Sequence, residues 1–228
     1  MKRYRIILLT GASSGNGKEL AYALAPQAER IVLVARRSER LEAIARDLSV
    51  RFGVSAFPLP ADLSVPGEAA RVFEKTVELV GEAPDLLVND AGVGFQGKAS
   101  EIPVDAECKM LRVNIESLMV LSKLALQAMR KKRRGVILNV SSMAGFSRDL
   151  TWPPITHQNP LFSPIAKPWR KKHVDFVCAS LPSVLDLSIR NFISVPVPER
   201  AFSAACSARR RILSPGRRSA PFSAEHTV

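Results

Sequence analysis

The chain has 228 residues, of which 46% are hydrophobic and 24% charged, values that fit a soluble globular protein and exclude collagen-like and fully disordered classes. The formal net charge of +12 would suggest an anionic partner. The excess is uneven, however: residues 1–147 carry 21 basic against 16 acidic side chains, and residues 148–228 carry 12 against 5. Ten of the 16 prolines but only one of the 12 glycines fall in the shorter part, so two different compositions meet near Phe146.

Short apolar runs alternate with amphipathic helical patterns through the first part. The predicted strands are 5–10, 31–35, 54–58, 85–88 and 136–140. The predicted helices are 18–28, 38–52, 66–81 with Gly81 as its stop, and one long helix over 105–133 with Gly135 as its C-cap. Apolar strands that are each followed by a helix predict an α/β fold: a Rossmann-like, doubly wound parallel sheet of about five regular strands between two helix layers.

A glycine-rich loop separates the first strand from the first helix. Its candidate phosphate-binding residues are Gly11, Ser13, Ser14, Gly15, Asn16 and Gly17. Such a loop directs backbone N–H groups and a helix N-terminus at a phosphate, and glycine lets the backbone approach closely. The spacing is GxxxGxG rather than GxGxxG, and its position between strand and helix favours dinucleotide binding over a purely structural turn.

Two arginines follow the second strand, where a dinucleotide-binding protein contacts the adenosine ribose. A carboxylate there would bind a 2′-hydroxyl, whereas Arg36 and Arg37 would pair with a 2′-phosphate. NADP(H) is therefore favoured over NAD(H). The alternative is a solvated basic helix start, which the helix dipole disfavours.

Over residues 4–147 these motifs resemble the short-chain dehydrogenase/reductase (SDR) family. The further residues that carry the resemblance are Asp62 and Leu63 after the third strand, Asn89, Ala91 and Gly92 in an NNAG-like motif with Asp90 as its second residue, Asn114, and Ser142. The resemblance implies that Asp62, Leu63, Asn89, Ala91 and Gly92 hold the cofactor. It also implies a hydride transfer between a nicotinamide and a small-molecule carbonyl or secondary alcohol, and homo-oligomers formed through the long-helix and C-terminal regions.

The family's catalytic set is incomplete in this chain. The resemblance implies that Ser142 hydrogen-bonds the substrate carbonyl and that Asn114 anchors a water for proton relay. It also calls for a tyrosine about 13 residues after the serine and a lysine four residues later, yet position 155 is Ile155. The only tyrosines are Tyr4 and Tyr22, in the cofactor half. The chain as written is therefore expected to be catalytically defective.

A change of reading frame would explain the change in composition near Phe146. Read in the alternative frame, the codons for residues 151–159 permit MATYHASK, which places a YxxxK motif at the expected distance from Ser142. Residues 165–173 permit SEALAEEA and residues 183–192 permit CPGPVDTEF, similar to the proline–glycine motif after the family's sixth strand. We hypothesise that residues from about Arg148 onward are out-of-frame translation, which would remove the sixth strand, although 173–179 could form an accidental one.

Other functions find less support. Residues 148–228, called the tail below, contain basic runs that lie outside any predicted fold, so neither a nucleic-acid nor a membrane partner is expected. Three cysteines without a CxxC and three dispersed histidines suggest no metal site, and the absence of an export signal suggests the cytoplasm. Two alternatives stay open: a non-catalytic dinucleotide-binding protein derived from a reductase, and an interaction protein that binds polyanions through its basic tail.

Overall fold

The computed structural model describes residues 3–95, 99–142, 175–181 and 226–227. Side chains are described for the first two segments up to Val140, apart from Ala99. The re-read motifs at 151–159, 165–173 and 183–192, together with Ile155, lie outside the described residues.

The strands form one six-stranded sheet and a small two-stranded pair. They are β1 (Tyr4–Thr10), β2 (Ala28–Ala35), β3 (Ser55–Pro60), β4 (Leu86–Asn89), β5 (Val93–Gly94), β6 (Val136–Ser142), β7 (Asp175–Leu181) and β8 (His226–Thr227). The large sheet has the order β3-β2-β1-β4-β6-β7 with all pairings parallel. Chain order reverses between β1 and β4, and ligands bind at the carboxyl ends of strands on either side of such a reversal.

Helices cover both faces of the sheet, as the alternation of strands and helices predicts. They are α1 (Gly15–Leu24), α2 (Ser38–Phe52), α3 (Glu68–Val80), α4 (Val104–Leu111) and α5 (Ser117–Lys132). Along β1, Ile7 and Leu9 pack with α1 and α2, whereas Ile6 and Leu8 pack with α3 and α5. Alternate residues of one strand thus enter two separate cores, which explains why the strands are apolar on both faces. The predicted three-layer α/β fold is confirmed.

The predicted long helix is interrupted. A π-helical turn over Arg112–Glu116 joins α4 to α5, so the single helix predicted over 105–133 was wrong. Residue periodicity does not reveal such a turn, because apolar spacing continues across it. Gly135 is not the C-cap either: Arg133 takes the left-handed conformation, with φ 55°, and its N–H bonds to the Arg130 and Met129 carbonyls. Gly81 does end α3.

The sheet has a sixth strand, which corrects the expectation that this strand is lost. β7 lies within the basic tail and pairs in parallel with β6, from Val136 opposite Asp175 to Ser142 opposite Leu181. It overlaps 173–179, the segment identified as able to form an accidental strand. β8 pairs antiparallel with β5, with His226 opposite Gly94. In the described part of the chain, every helix is too short or too polar to cross a membrane.

Candidate functional site

The glycine loop lies against the turn that follows β4. Gly11 has φ +75°, and a Cβ at this position would lie 2.9 Å from the Ala91 backbone nitrogen. A Cβ at Gly17 would collide with the Gly11 carbonyl oxygen and lie 2.7 Å from Oδ2 of Asp90. Only glycine fits either position, since backbone atoms cannot yield as a flexible side chain can. The sequence predicted these glycines for phosphate approach, and the structure adds that they also permit this close packing.

Thr10 links the ends of β1 and β4, the two strands that flank the site. Its buried hydroxyl donates a hydrogen bond to the Val88 carbonyl (3.3 Å) and accepts hydrogen bonds from the Asp90 and Ala91 backbone nitrogens, each at 3.1 Å. One side chain thereby joins the end of β1 to the end of β4 across the point where chain order reverses. Sequence reasoning assigned no separate role to Thr10, and only the adjacency of β1 and β4 in the sheet identifies it.

Arg37 reaches from the end of β2 to the glycine loop. Its guanidinium Nη2 donates to Oγ of Ser14 at 2.9 Å and to Oγ of Ser13 at 3.3 Å. Loss of hydration, with the charges of Arg40 and Arg36, lowers the pKa of Arg37 from its ordinary value. The guanidinium stays charged all the same, because an arginine keeps its proton in proteins. The predicted residues Ser13, Ser14 and Arg37 therefore form one positive cluster beside the start of α1.

The N-terminus of α1 is suited to an anion. The helix begins at Gly15, the Ser14 hydroxyl makes no capping hydrogen bond to the helix, and the first turn contains no acidic residue. Asn16 is half-buried in that first turn. Backbone N–H groups at a helix start, together with a nearby guanidinium, are the donors that a phosphate group needs. The residues present therefore fit a dinucleotide phosphate.

Asp90 is buried beneath this helix start. The residue is only 7% exposed, and its carboxylate accepts a hydrogen bond from the Gly17 N–H. Burial raises the pKa of Asp90 well above its ordinary value, and the Gly17 hydrogen bond only partly opposes this. Asp90 was noted in the sequence as a departure from the NNAG-like motif, not as a site residue.

Asp62 and Leu63 follow β3 at the same edge of the sheet. The Asp62 carboxylate accepts a hydrogen bond from the Ser64 backbone nitrogen at 2.9 Å, and its carbonyl accepts one from Val65 at 3.0 Å. These bonds form a local turn that fixes the segment. Leu63 is buried, and the Ala61 N–H bonds to the Ala35 carbonyl, which ties the segment to the end of β2.

Asn89 belongs to a polar network that sequence reasoning missed. Its amide nitrogen donates to the Asn139 Oδ1 at 2.9 Å and to the Ser122 Oγ at 3.0 Å, so it links β4, β6 and α5. Asn89 and Asn139 lie opposite one another in the parallel register, which is the reason their amides meet. The pairing of the fourth and fifth predicted strands could have suggested this contact. Asn89 thus contacts the neighbouring strand β6 and the helix α5 rather than the glycine loop.

Asn114 lies in the π-helical turn and faces the NNAG-like motif. Its side-chain oxygen accepts from the Val93 N–H at 2.9 Å, and its side-chain nitrogen donates to the Val93 carbonyl at 2.8 Å. A Cβ at Gly92 would lie 3.7 Å from the same oxygen, so Asn114 is adjacent to the predicted Gly92. π-Helical turns inside helices occur frequently at functional sites.

Ser142 is the last residue of β6, three positions beyond Asn139. Its side chain lies outside the described part of the chain. The two tyrosines are not near the carboxyl ends of the strands: Tyr4 begins β1, and the hydroxyl of Tyr22 on α1 donates a hydrogen bond to the carboxylate of Asp47 on α2. Neither therefore lies where the resemblance implies a catalytic tyrosine.

Comparison with known proteins identifies relatives of this chain. The family model for short chain dehydrogenase matches residues 5–154. An NADP-dependent 3-hydroxy acid dehydrogenase of Schizosaccharomyces pombe is 33% identical over 147 residues, which are 62% of this chain and 55% of that protein. Dehydrogenase/reductase SDR family member 7B of Rattus norvegicus is 32% identical over 63% of this chain and 45% of its own length. The chain thus spans about half the length of the curated relatives it matches.

Solved structures show the same fold. A metagenomic short-chain oxidoreductase in complex with NADP has a TM-score of 0.71 and 28% identity, covering 85% of this chain and 90% of that chain. An alcohol dehydrogenase from Thermococcus sibiricus complexed with 5-hydroxy-NADP has a TM-score of 0.61 and 26% identity over 69% and 66% of the two chains. A 7α-hydroxysteroid dehydrogenase complexed with NADH has a TM-score of 0.62 and 25% identity over 69% and 60%.

Proposed function

The chain belongs to the short chain dehydrogenase family, and on that premise we propose that it binds NADP(H) in preference to NAD(H). The observation that carries this proposal is the contact of Arg37 with Ser13 and Ser14. It sets a guanidinium beside the glycine loop, where a 2′-phosphate would receive charge-assisted hydrogen bonds. Among the relatives, an NADP-dependent enzyme and an NADP complex support this choice, whereas the NADH complex is the competing precedent.

The proposed cofactor residues fall into four groups at the carboxyl ends of the strands. The loop residues Gly11, Gly15, Asn16 and Gly17 would hold the pyrophosphate, Arg36 and Arg37 the 2′-phosphate, and Asp62 with Leu63 the adenine. Ala91 and Gly92 would approach the nicotinamide half, and Asn89 would fix β4 beneath them. When bound, the cofactor supplies or accepts a hydride at its nicotinamide ring.

We further propose that the family's activity toward a small carbonyl or secondary alcohol is nearly lost in this chain. Ser142 and Asn114 would still position a substrate oxygen and a proton-relay water. The chain has no tyrosine followed by a lysine four residues later. A general acid–base group typically contributes about 10²–10⁴-fold to a rate. Tyr22 is unsuited to that task, because its pKa is raised to about 12 rather than lowered.

The shifted reading frame is the proposed cause of this loss, and a redetermined gene sequence across the codons for residues 141–159 tests it. We expect an inserted or deleted base near Ser147 whose correction gives YxxxK. The corrected protein should then turn over carbonyl substrates with NADPH at least about 10²-fold faster than the chain as written. If the frame stands and an intact-mass measurement finds this tail in cells, the proposed cause is wrong.

A non-catalytic dinucleotide-binding protein is the second candidate, favoured by the well-formed loop at Gly11 and Gly17 in a chain without the tyrosine. NADPH titrations of the full chain, followed by ligand fluorescence and thermal unfolding, test the binding that both candidates require, and the reading frame of the gene separates the two. Binding without turnover from the confirmed frame supports the second candidate. Failure to bind NADPH at any concentration below about 1 mM would refute both. Retention on heparin that depends on residues 148–228 would instead support polyanion binding.

Assembly follows only from family precedent. We propose a cytoplasmic protein with small-molecule ligands, without a nucleic-acid or membrane partner. Homo-oligomers are the family expectation, and this chain would lack the family's C-terminal contribution to them if residues 148–228 are out of frame.

A further inference from the structure

Asp90 and the start of α1 share one buried space. The Gly17 N–H donates to the Asp90 carboxylate, and Oδ2 lies so close to Gly17 that a Cβ there would approach it to 2.7 Å. Gly17 is in the first turn of α1, which begins at Gly15. The carboxylate therefore uses the positive end of the helix, as an anionic ligand at the glycine loop also would.

The charged groups around Asp90 in the described residues all have other partners. On α1, Lys18 lies with Nζ 5.9 Å from the centre of the Tyr22 ring, and Glu19 acts on the Tyr22 hydroxyl. From the end of β2, Arg37 bonds to Ser13 and Ser14. The nearby end of β1 offers Thr10, whose hydroxyl accepts from the backbone of Asp90 rather than its carboxylate. No cation in the described residues therefore compensates the Asp90 carboxylate for its loss of hydration. Its main stabilising partner is the start of α1, through the Gly17 N–H.

We propose that Asp90 is a positioning residue of the cofactor site that takes up a proton when the dinucleotide binds. The inference rests on the proposed function, since it requires a pyrophosphate at the glycine loop. A pyrophosphate and an Asp90 carboxylate would place like charges at one helix end in a water-poor space, and protonation of Asp90 removes that repulsion. The neutral carboxyl keeps an oxygen that accepts from Gly17, so the loop retains its conformation.

Proton uptake makes cofactor affinity depend on pH. Between the pKa values of Asp90 in the free and the bound protein, NADPH affinity should weaken by up to about tenfold for each unit of rising pH. Outside that window the contribution of Asp90 is constant. The Asp90→Asn variant keeps an acceptor oxygen for the Gly17 N–H but has no proton to exchange. Its affinity should therefore equal that of the wild type at low pH and exceed it at high pH.

Titration calorimetry of the full chain with NADPH measures the uptake directly. Each titration is run in two buffers of different ionisation enthalpy, from about pH 5 to about pH 9, so that the difference in heat gives the protons bound. The wild type should bind up to one proton more than Asp90→Asn at some pH in this range. The control Asp105→Asn, on the exposed first turn of α4, should match the wild type. Titration of the cofactor phosphates is common to all three proteins and cancels in the comparison.

Equal proton uptake by the wild type and Asp90→Asn would overturn the inference while leaving NADPH binding, and so the proposed function, intact. An absence of NADPH binding in every protein would instead overturn the proposed function and the inference with it. If Asp90→Asn fails to fold, the carbon NMR signal of the Asp90 carboxyl in the wild type decides. We expect its titration midpoint to rise when NADPH is added, and an unchanged midpoint would refute proton uptake.

Discussion

Asn114 hydrogen-bonds both backbone groups of Val93, accepting from its N–H at 2.9 Å and donating to its carbonyl at 2.8 Å. The side-chain amide thus pairs with β5 as a neighbouring strand would. A residue in the π-helical turn thereby holds the segment that follows the NNAG-like motif. This contact joins the helix carrying a proposed catalytic residue to the turn carrying proposed cofactor residues.

Replacing Asn114 with alanine should destabilise this contact. Val93 is half-buried, so its N–H and carbonyl would be left with partial access to water. We expect a loss of about 1–2 kcal/mol in the free energy of unfolding, measured by urea denaturation. Asn114→Asp keeps the acceptor for the Val93 N–H but as a carboxylate has no donor. At low pH its protonated carboxyl can donate to the Val93 carbonyl, so its loss in the free energy of unfolding should be smaller there. Equal stability of Asn114→Ala and the wild type would contradict the pairing.

Gly17→Ala should disrupt the glycine loop. The added methyl group would collide with the Gly11 carbonyl and the Asp90 carboxylate, and Gly11 itself is packed against the Ala91 backbone. We expect a loss of about 1–3 kcal/mol in stability, typical of overpacking, together with weaker NADPH binding. Gly94→Ala is the matched control, because a Cβ there meets nothing within 4 Å. A Gly17→Ala protein as stable as Gly94→Ala would show that the loop is not packed in this way.

Arg37→Gln should change cofactor preference. Loss of the guanidinium removes charge-assisted hydrogen bonds to a 2′-phosphate, each worth about 1.5–3 kcal/mol, while the 2′-hydroxyl of NADH does not depend on them. We expect NADPH affinity to fall by about 10–100-fold and NADH affinity to change little, as measured by nicotinamide fluorescence. Arg46→Gln, exposed two turns further along α2, removes the same charge and serves as the control. A parallel loss for both cofactors would assign Arg37 to the loop structure instead.

Tyr22 should ionise only at high pH. Loss of hydration, followed by its hydrogen bond to the Asp47 carboxylate, raises the pKa of Tyr22 to about 12. Because the folded-state pKa lies above the ordinary value of about 10, the stability from this contact is complete below pH 10 and is lost as pH rises toward 12. Ultraviolet titration should show a phenolate step near pH 12 that disappears in Tyr22→Phe and persists in Tyr4→Phe. A Tyr22 step near pH 10 would mean that Asp47 does not accept a hydrogen bond from the Tyr22 hydroxyl.

The sequence by itself determined the fold class and the candidate residues of the first 147 positions. Strand and helix periods are local properties, so the five strands and their order of appearance could be predicted from apolar spacing. Gly11 and Gly17 could likewise be identified from their place between a strand and a helix. The break at Arg112–Glu116 could not, since local apolar spacing does not encode a change of helical hydrogen bonding. For Asp175–Leu181 the sequence indicated only that 173–179 could form a strand, and its pairing with β6 is a property of the assembled sheet.

Only the tertiary structure decided how the site residues meet. Arg37 contacts Ser13 and Ser14 because β1 and β2 are neighbours in the sheet, and Asp90 reaches Gly17 because β4 lies beside β1. Strand order brings these residues together although they lie far apart along the chain. The packing that results leaves no room for a side chain at Gly17. The residue types that can bind a dinucleotide are written in local sequence, whereas the burial of the Asp90 carboxylate beneath the helix start arises only when the sheet is assembled.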